Sequence, residues 1–316
     1  MEASKRKLTV FCGSTHPELT AEVCRHLDIK QGDIEVTTFC DGETNIKINS
    51  SVRGADVFIV QPTSTPVNDS LMKLLIIIDA VKRASAHRIT AVIPYYGYSR
   101  QEKKTAGREP ITAKLVANLL TTAGADRVMT VDLHSSAIQG FFDIPVDHLT
   151  ALPIICDYLK EKNFDSEMVI VSPDAGGVGR ARAFAKKMNT TIAIVDKRRP
   201  KPNVAEVMNL IGDVKNKIAV LIDDIIDTAG TIAAASKMLS ANGAKEIYVA
   251  TTHAILSGPA YERLDLAPIK EVITTNTINN VLNKKYPKIK VLSIAPLISE
   301  VIYRIHNEIS VSNLFE

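Results

Sequence analysis

Short β-branched runs alternate with helical patterns from one end of this chain to the other, and that alternation leaves few folds open. The runs are LTVFC, VFIVQ, TAVIPYY, RVMTVDL, MVIVSP, TIAIVD, IAVLID, EIYVATT, EVITTN and KVLSIA, with charge only at or next to their ends. A strand without a polar face must be covered on both sides, which is the condition of a parallel sheet flanked by helices. Between the runs lie helical patterns such as SLMKLLIIIDAVKRAS, TAKLVANLLTTAG and TIAAASKMLSANG. The last two stop at Gly124 and Gly243, the residue type that closes a helix in the left-handed conformation. The expected class is α/β, with mostly parallel sheets.

At 316 residues there is room for two such domains, and 46% hydrophobic residues supply their cores. The pattern breaks at PVDHLTALP, which divides the chain into 1–150 and 151–316. The halves echo each other: VFIVQPTSTPVNDSLMKLLI and VLIDDIIDTAGTIAAASKML are both strand, small polar loop and helix. Apolar runs such as LLIIIDAV are too short to cross a bilayer. The polar start MEASKRK leads straight into a strand, so secretion is not expected. Cys12, Cys24, Cys40 and Cys156 show no zinc-like spacing and read as free thiols of a reducing cytosol. A net charge of +3 gives no reason to expect nucleic acid as a partner, although local basic clusters can still meet small anions.

In parallel α/β sheets ligands bind beyond the carboxyl ends of the strands. Here those ends lead into GYSRQEKK, LHSS, PDAGG, KRRPKP and DDIIDTAGT. Taken singly, His134 reads as a capped loop histidine, Asp174 as a turn residue and KRRPKP as a solvated basic run. Together they form a chemically matched set. The strongest single signal is Asp227-Thr228-Ala229-Gly230-Thr231, a small-residue loop opening a helix, where backbone N–H groups can hold an anion. Two acids, Asp223 and Asp224, stand just before it. No GxxxxGK[ST], GxGxxG after a strand, GxSxG or HExxH is present, which removes the usual nucleotide, dinucleotide, hydrolase and metalloprotease sites.

DDIIDTAGT resembles the signature loop of phosphoribosyl-transferring proteins, whose amides hold a 5-phosphate while the acids face the ribose hydroxyls. With PYYGYSRQEKK, VDLHSSAIQGFFDIPVDHL, VSPDAGG, VDKRRPKPNVAEVMN, THAILSGPA and the terminal SVSNLF, the chain resembles the ribose-phosphate pyrophosphokinase family from about residue 8 to 316. The resemblance implies two similar phosphoribosyltransferase-like domains, the tail 305–316 packing back on the first. It implies transfer of a pyrophosphoryl group from ATP to ribose 5-phosphate in the cytoplasm, with Mg²⁺ as cofactor.

By motif position Phe39, Asp41, Gly42, Glu43, Arg100 and Gln101 would meet ATP, and His134 and Asp174 the Mg²⁺. Lys197 and Arg199 would act from a mobile catalytic loop, with Arg199 also meeting ribose 5-phosphate. Asp223, Asp224, Asp227, Thr228, Ala229, Gly230 and Thr231 would bind ribose 5-phosphate. The family's main class is a homohexamer activated by inorganic phosphate and inhibited by ADP at a site between subunits. Arg53, Ser85, Lys104, Arg108, Ser310 and Ser312 are the candidates for that site here. Glu102, where the family often carries Asp, and the neighbouring KTAGREP depart from the pattern. The rival readings are a phosphoribosyltransferase that consumes PRPP, which has no use for the RQ, DLH and KRR loops together, and an inactive regulatory relative.

Overall fold

The computed structural model describes residues 6–164, 166–198, 207–279 and 286–314. The chain divides into two compact units, one of Met1–Thr150, Thr277–Asn279 and Ser293–Glu316, the other of Ala151–Asn276 and Asn280–Leu292.

In the first unit β1 (Leu8–Cys12), β4 (Asp56–Val60), β5 (Arg88–Ile93), β6 (Arg127–Val131) and β7 (Val146–Leu149) form one sheet in that order. All its neighbours are parallel, with Leu8 opposite Asp56 and Asp56 opposite Arg88. Strand β7 falls inside PVDHLTALP, where the sequence shows only a break; four residues are too few for a period to stand out. Helices α2 (Val67–Arg83) and α3 (Thr112–Ala123) bury Leu74, Ile77, Ile78, Val116 and Leu120 in a core with Val57, Ile59, Ile89 and Ala91. Helix α3 stops, as expected, at Gly124 with φ 118°. Between β1 and β4 runs an antiparallel hairpin, β2 (Ile34–Thr38) and β3 (Thr44–Ile48). Its half-exposed strands lack the uncharged character of the others, so the alternation hides them.

Helix α1 (Pro17–His26) packs against α8 (Ala295–His306), whose stripe of Ala295, Ile298, Val301, Ile302 and Ile305 is buried. The chain re-enters this unit at Thr277–Asn279 and again from Ser293 onward, a stretch that includes 305–316. An amphipathic helix announces that it has an apolar stripe, not which sheet will cover it. Its last turn is tied to the start of two strands. Arg88 donates to the Ile305 carbonyl at 2.9 Å and to both oxygens of Asp56, while His306 Nδ1 lies 3.0 Å from Asp56. A guanidinium at a helix carboxyl end also meets the negative end of the helix dipole.

In the second unit the order is β10-β9-β8-β11-β12-β13-β14. Strands β8 (Met168–Ser172), β9 (Thr191–Arg198), β11 (Ile218–Ile226), β12 (Glu246–Ala254), β13 (Glu271–Thr275) and β14 (Ile289–Leu292) are parallel; β10 (Val207–Ile211) runs against β9. Helices α4 (Leu152–Glu161), α5 (Val178–Met188), α6 (Gly230–Ala241) and α7 (Ala260–Leu266) complete the unit. From β8 the chain proceeds outward to β9 on one side and then crosses to β11 on the other. The order reverses there, and in open α/β sheets a ligand crevice forms where the order reverses.

Candidate functional site

The loops that leave β8 and β11 are PDAGG and DTAGT, so the reversal sets the two most suggestive motifs side by side at the carboxyl ends of neighbouring strands. Ser172 donates to the Asp174 carbonyl at 2.6 Å, and Asp174 Oδ1 accepts the Gly177 N–H at 2.9 Å, which starts α5. The turn role is therefore real, and Asp174 remains exposed. From the first turn of α5, Arg180 reaches the acid pair, with Nη1 3.4 Å from Asp223 and Nη2 3.1 Å from Asp224. Sequence reasoning missed this arginine; helix VGRARAFAKK offers two arginines and only the topology selects one.

Asp224 is 3% exposed and Asp223 partly so. Burial, then the neighbouring Asp224 charge, pushes the Asp223 carboxyl up to about 8, with Arg180 opposing. A carboxyl that takes its proton more readily folded than unfolded costs stability as pH rises from its ordinary range to the folded value. Replacing Asp223 with Asn should therefore raise the melting temperature of metal-free protein, with no difference near pH 4, a growing one up to about pH 8, and a constant one above. Melts across that range check it; a difference largest at pH 4 would mean that Asp223 is stabilised as the anion.

Beyond Ile226 the chain makes a corner in which Ala229 holds φ 58°, a left-handed value unusual outside Gly and Asn, and α6 begins at Gly230. Backbone alternating into that region turns successive N–H groups toward one concavity, and the first turn of a helix adds its own. Asp227, Thr228, Ala229, Gly230 and Thr231 thus have the backbone form that an anion cradle requires, with the acids on the strand that feeds it. Arg263 on α7 donates to the Thr228 carbonyl at 2.9 Å, and the Ser257 hydroxyl bonds the Asp227 carboxylate. Lys197 is the next-to-last residue of β9, with its backbone opposite Met208 of β10. Arg199 lies outside the described residues.

In the first unit Val67, Asn68, Tyr95, Tyr98, Arg100 and Gln101 line a cleft of about 270 Å³. The loop that carries Arg100 is pinned: Gln101 Oε1 accepts from the Thr112 hydroxyl at 2.6 Å, and Gly97 N–H donates to Thr63 at 2.7 Å. A Cβ on Gly97 would stand 2.4 Å from the Thr63 carbonyl, so only glycine fits. Glu109 closes the next loop by accepting from Thr105 and Ala106, bonds that hold its carboxyl below the ordinary range. Glu102 lies 3.2 Å from Lys103. Exposed His134 follows β6. Phe39, Asp41, Gly42 and Glu43 form the tip of the β2–β3 hairpin, where Asp41 accepts the Glu43 N–H, Gly42 takes φ 95° and Phe39 is 55% exposed.

The other anion candidates fall into two groups. Arg53 reaches Ser85 at 3.5 Å near the amino ends of β4 and β5. Ser310, whose carbonyl accepts from Arg304 and whose hydroxyl meets Ser312 at 3.3 Å, follows the end of α8 that Asp56 and Arg88 hold at those same ends. Lys104 and Arg108 follow the carboxyl end of β5, a strand length of about 20 Å away. One chain does not bring the six together.

All four cysteines are free thiols. Among the described residues no helix is long and apolar enough to cross a membrane.

Residues 8–124 match the N-terminal domain of ribose phosphate pyrophosphokinase, and residues 199–316 match the phosphoribosyl synthetase-associated domain. A ribose-phosphate pyrophosphokinase from Caldanaerobacter subterraneus subsp. tengcongensis is 58% identical over 308 residues, covering 98% of this chain and 98% of its own. One from Bacillus subtilis is 54% identical over 310 residues, again covering 98% of each. The crystal structure of phosphoribosylpyrophosphate synthetase from Mycobacterium smegmatis is similar with a TM-score of 0.91 and 45% identity, covering 96% of this chain and 100% of that one.

Proposed function

The chain belongs to the ribose-phosphate pyrophosphokinase family, and from that premise we infer how its own residues carry the reaction. It is an enzyme that transfers the pyrophosphoryl group of ATP to the 1-hydroxyl of ribose 5-phosphate, giving PRPP and AMP. The observation that carries the residue assignment is the cradle 227–231 joined to the acid pair at the reversal of strand order. The cradle amides take the 5-phosphate. Asp223 and Asp224 accept hydrogen bonds from ribose hydroxyls, with Arg180 offsetting their charge.

The 1-hydroxyl oxygen then gives up its proton to solvent and attacks the β-phosphorus of ATP. The bond from that phosphorus to the α–β bridging oxygen breaks, and AMP leaves with the electron pair. Such a transfer asks little covalent chemistry of the protein; alignment and charge stabilisation dominate. Lys197 and Arg199 supply positive charge to the group in flight. On the nucleotide side the Arg100–Gln101 cleft receives ATP, and the exposed Phe39 with Asp41, Gly42 and Glu43 takes the adenosine.

Mg²⁺ fits the donors present. Among the described residues no three His, Cys, Asp or Glu side chains converge, and a hard cation that keeps waters and binds substrate phosphates asks for only one or two protein carboxylates. His134 in the first unit and Asp174 in the second would each hold a Mg²⁺ ion, directly or through water. Such an ion would supply positive charge that neutralises part of the charge on the substrate phosphates.

The direct test is AMP formation from ATP that requires both ribose 5-phosphate and Mg²⁺; AMP released without the sugar phosphate would point to hydrolysis. The same reading places the enzyme in the cytoplasm as a homohexamer. In that assembly Arg53, Ser85, Ser310 and Ser312 of one copy join Lys104 and Arg108 of another to bind inorganic phosphate or ADP. Truncation before Ser310 should abolish activation by phosphate while leaving the affinity for ribose 5-phosphate unchanged. A truncated protein that phosphate still activates removes the tail from that site.

A further inference from the structure

THAILSGPA recurs among the motifs of the resemblance without a chemical role, and in the fold it runs along the outside of the phosphate loop. Three consecutive carbonyls, at the end of β11 and the start of the loop, are held from this segment and from the helix that follows it. Ile226 accepts from the N–H groups of Ile255 and Leu256 at 2.9 and 3.1 Å, Asp227 from that of Ser257 at 3.1 Å, and Thr228 from Arg263 at 2.9 Å. In a planar trans peptide the C=O and the following N–H point in opposite directions. Pinning these three carbonyls outward therefore aims the N–H groups of residues 227, 228 and 229 inward. Left-handed turns at Leu256 (φ 52°) and Gly258 (φ 54°) present the donors, and Ile226 and Ala229 share one apolar core with Leu256, Ala260 and Leu264. A Cβ on Gly230 would stand 3.3 Å from Arg263 Nη1, so glycine there also leaves the guanidinium its place.

We propose that the segment from Ile255 to Arg263 is a strut that sets the aim of the phosphate loop, with Arg263 as a positioning residue for ribose 5-phosphate. The inference rests on the assignment of the 5-phosphate to residues 227–231. Arg263 acts at a distance from the transferred group: its bond to Thr228 is charge-assisted, so its loss removes a strong constraint on one peptide unit and a nearby positive charge. Arg263 is exposed.

Two measurements on the full-length enzyme test this. Hydrogen–deuterium exchange of the peptide covering 226–234 should slow when ribose 5-phosphate is added to the unmodified protein. No protection there would overturn the 5-phosphate assignment itself. In Arg263→Ala, with an unchanged melting curve, the same ligand-free peptide should exchange faster while the rest of the unit does not. The KM for ribose 5-phosphate should rise about tenfold or more, with the KM for ATP unmoved and kcat changed far less. Arg263→Lys, which keeps a donor and a charge, should recover most of that affinity. Unchanged exchange of the ligand-free loop, or equal rises in both KM values, would overturn the strut while leaving the 5-phosphate assignment standing.

Discussion

Arg180, Asp223 and Asp224 should keep ribose 5-phosphate bound in Lys197→Ala, whose kcat should nonetheless fall by about a hundredfold or more, with the KM for the sugar phosphate within a few-fold of normal. The split follows from position. Lys197 belongs to β9, whereas the acid pair and the cradle belong to β11 and the start of α6, so the sugar keeps its hydroxyl and phosphate partners when the lysine is removed. On the proposed role, what would disappear is a cation beside oxygens that gain charge as the bridging bond breaks, a contact worth about 3 kcal/mol when it exists mainly in the transition state. Steady-state kinetics with ATP saturating reads both constants. A normal kcat would take Lys197 out of the chemistry; a loss confined to KM would make it a ground-state contact. Arginine in its place keeps charge but spreads it over a planar fork, and should restore only part of the rate.

The physical limits of sequence reading are visible at particular residues. The uncharged strands and their glycine-stopped helices were legible because burial on both faces removes polar residues from whole segments. The 227–231 stretch was legible as a small-residue turn opening a helix, and α6 does begin at Gly230. The β2–β3 hairpin was not, since its strands are half-exposed and carry charge. Strand β10 was not, because KRRPKPNVAEVMN reads as one basic loop until the antiparallel pairing of Val207 with Arg198 is seen. Arg180 and Arg263 belong to helices whose sequences contain nothing that separates them from surface arginines. Each gains its meaning from a partner far away in sequence: Asp223 and Asp224 for one, the Thr228 carbonyl for the other. Chain order states which residues exist near a motif; the reversal between β8 and β11 states which of them meet.

A second large effect is expected far from the chemistry, at the start of β4. Asp56→Ala should lower the unfolding free energy by about 3 kcal/mol, because it breaks a buried ion cluster by removing one partner. Asp56 is 1% exposed and accepts both arms of the Arg88 guanidinium, and its Oδ2 lies 3.0 Å from His306 Nδ1. Its removal strands a guanidinium that is itself largely covered, with the Ile305 carbonyl still accepting from it. The same change releases the last turn of α8 from the amino ends of two strands, and with it the segment that carries Ser310 and Ser312. Response to inorganic phosphate should therefore weaken in this variant at temperatures where the fold survives, whereas ribose 5-phosphate, bound in the other unit, should retain its affinity. Denaturant unfolding gives the first quantity and phosphate titration of the rate gives the second. His306→Asn should cost less on both counts, since Arg88 and Asp56 keep each other. A loss under about 1 kcal/mol for Asp56→Ala would show that water reaches the cluster and that the pair behaves as a surface ion pair.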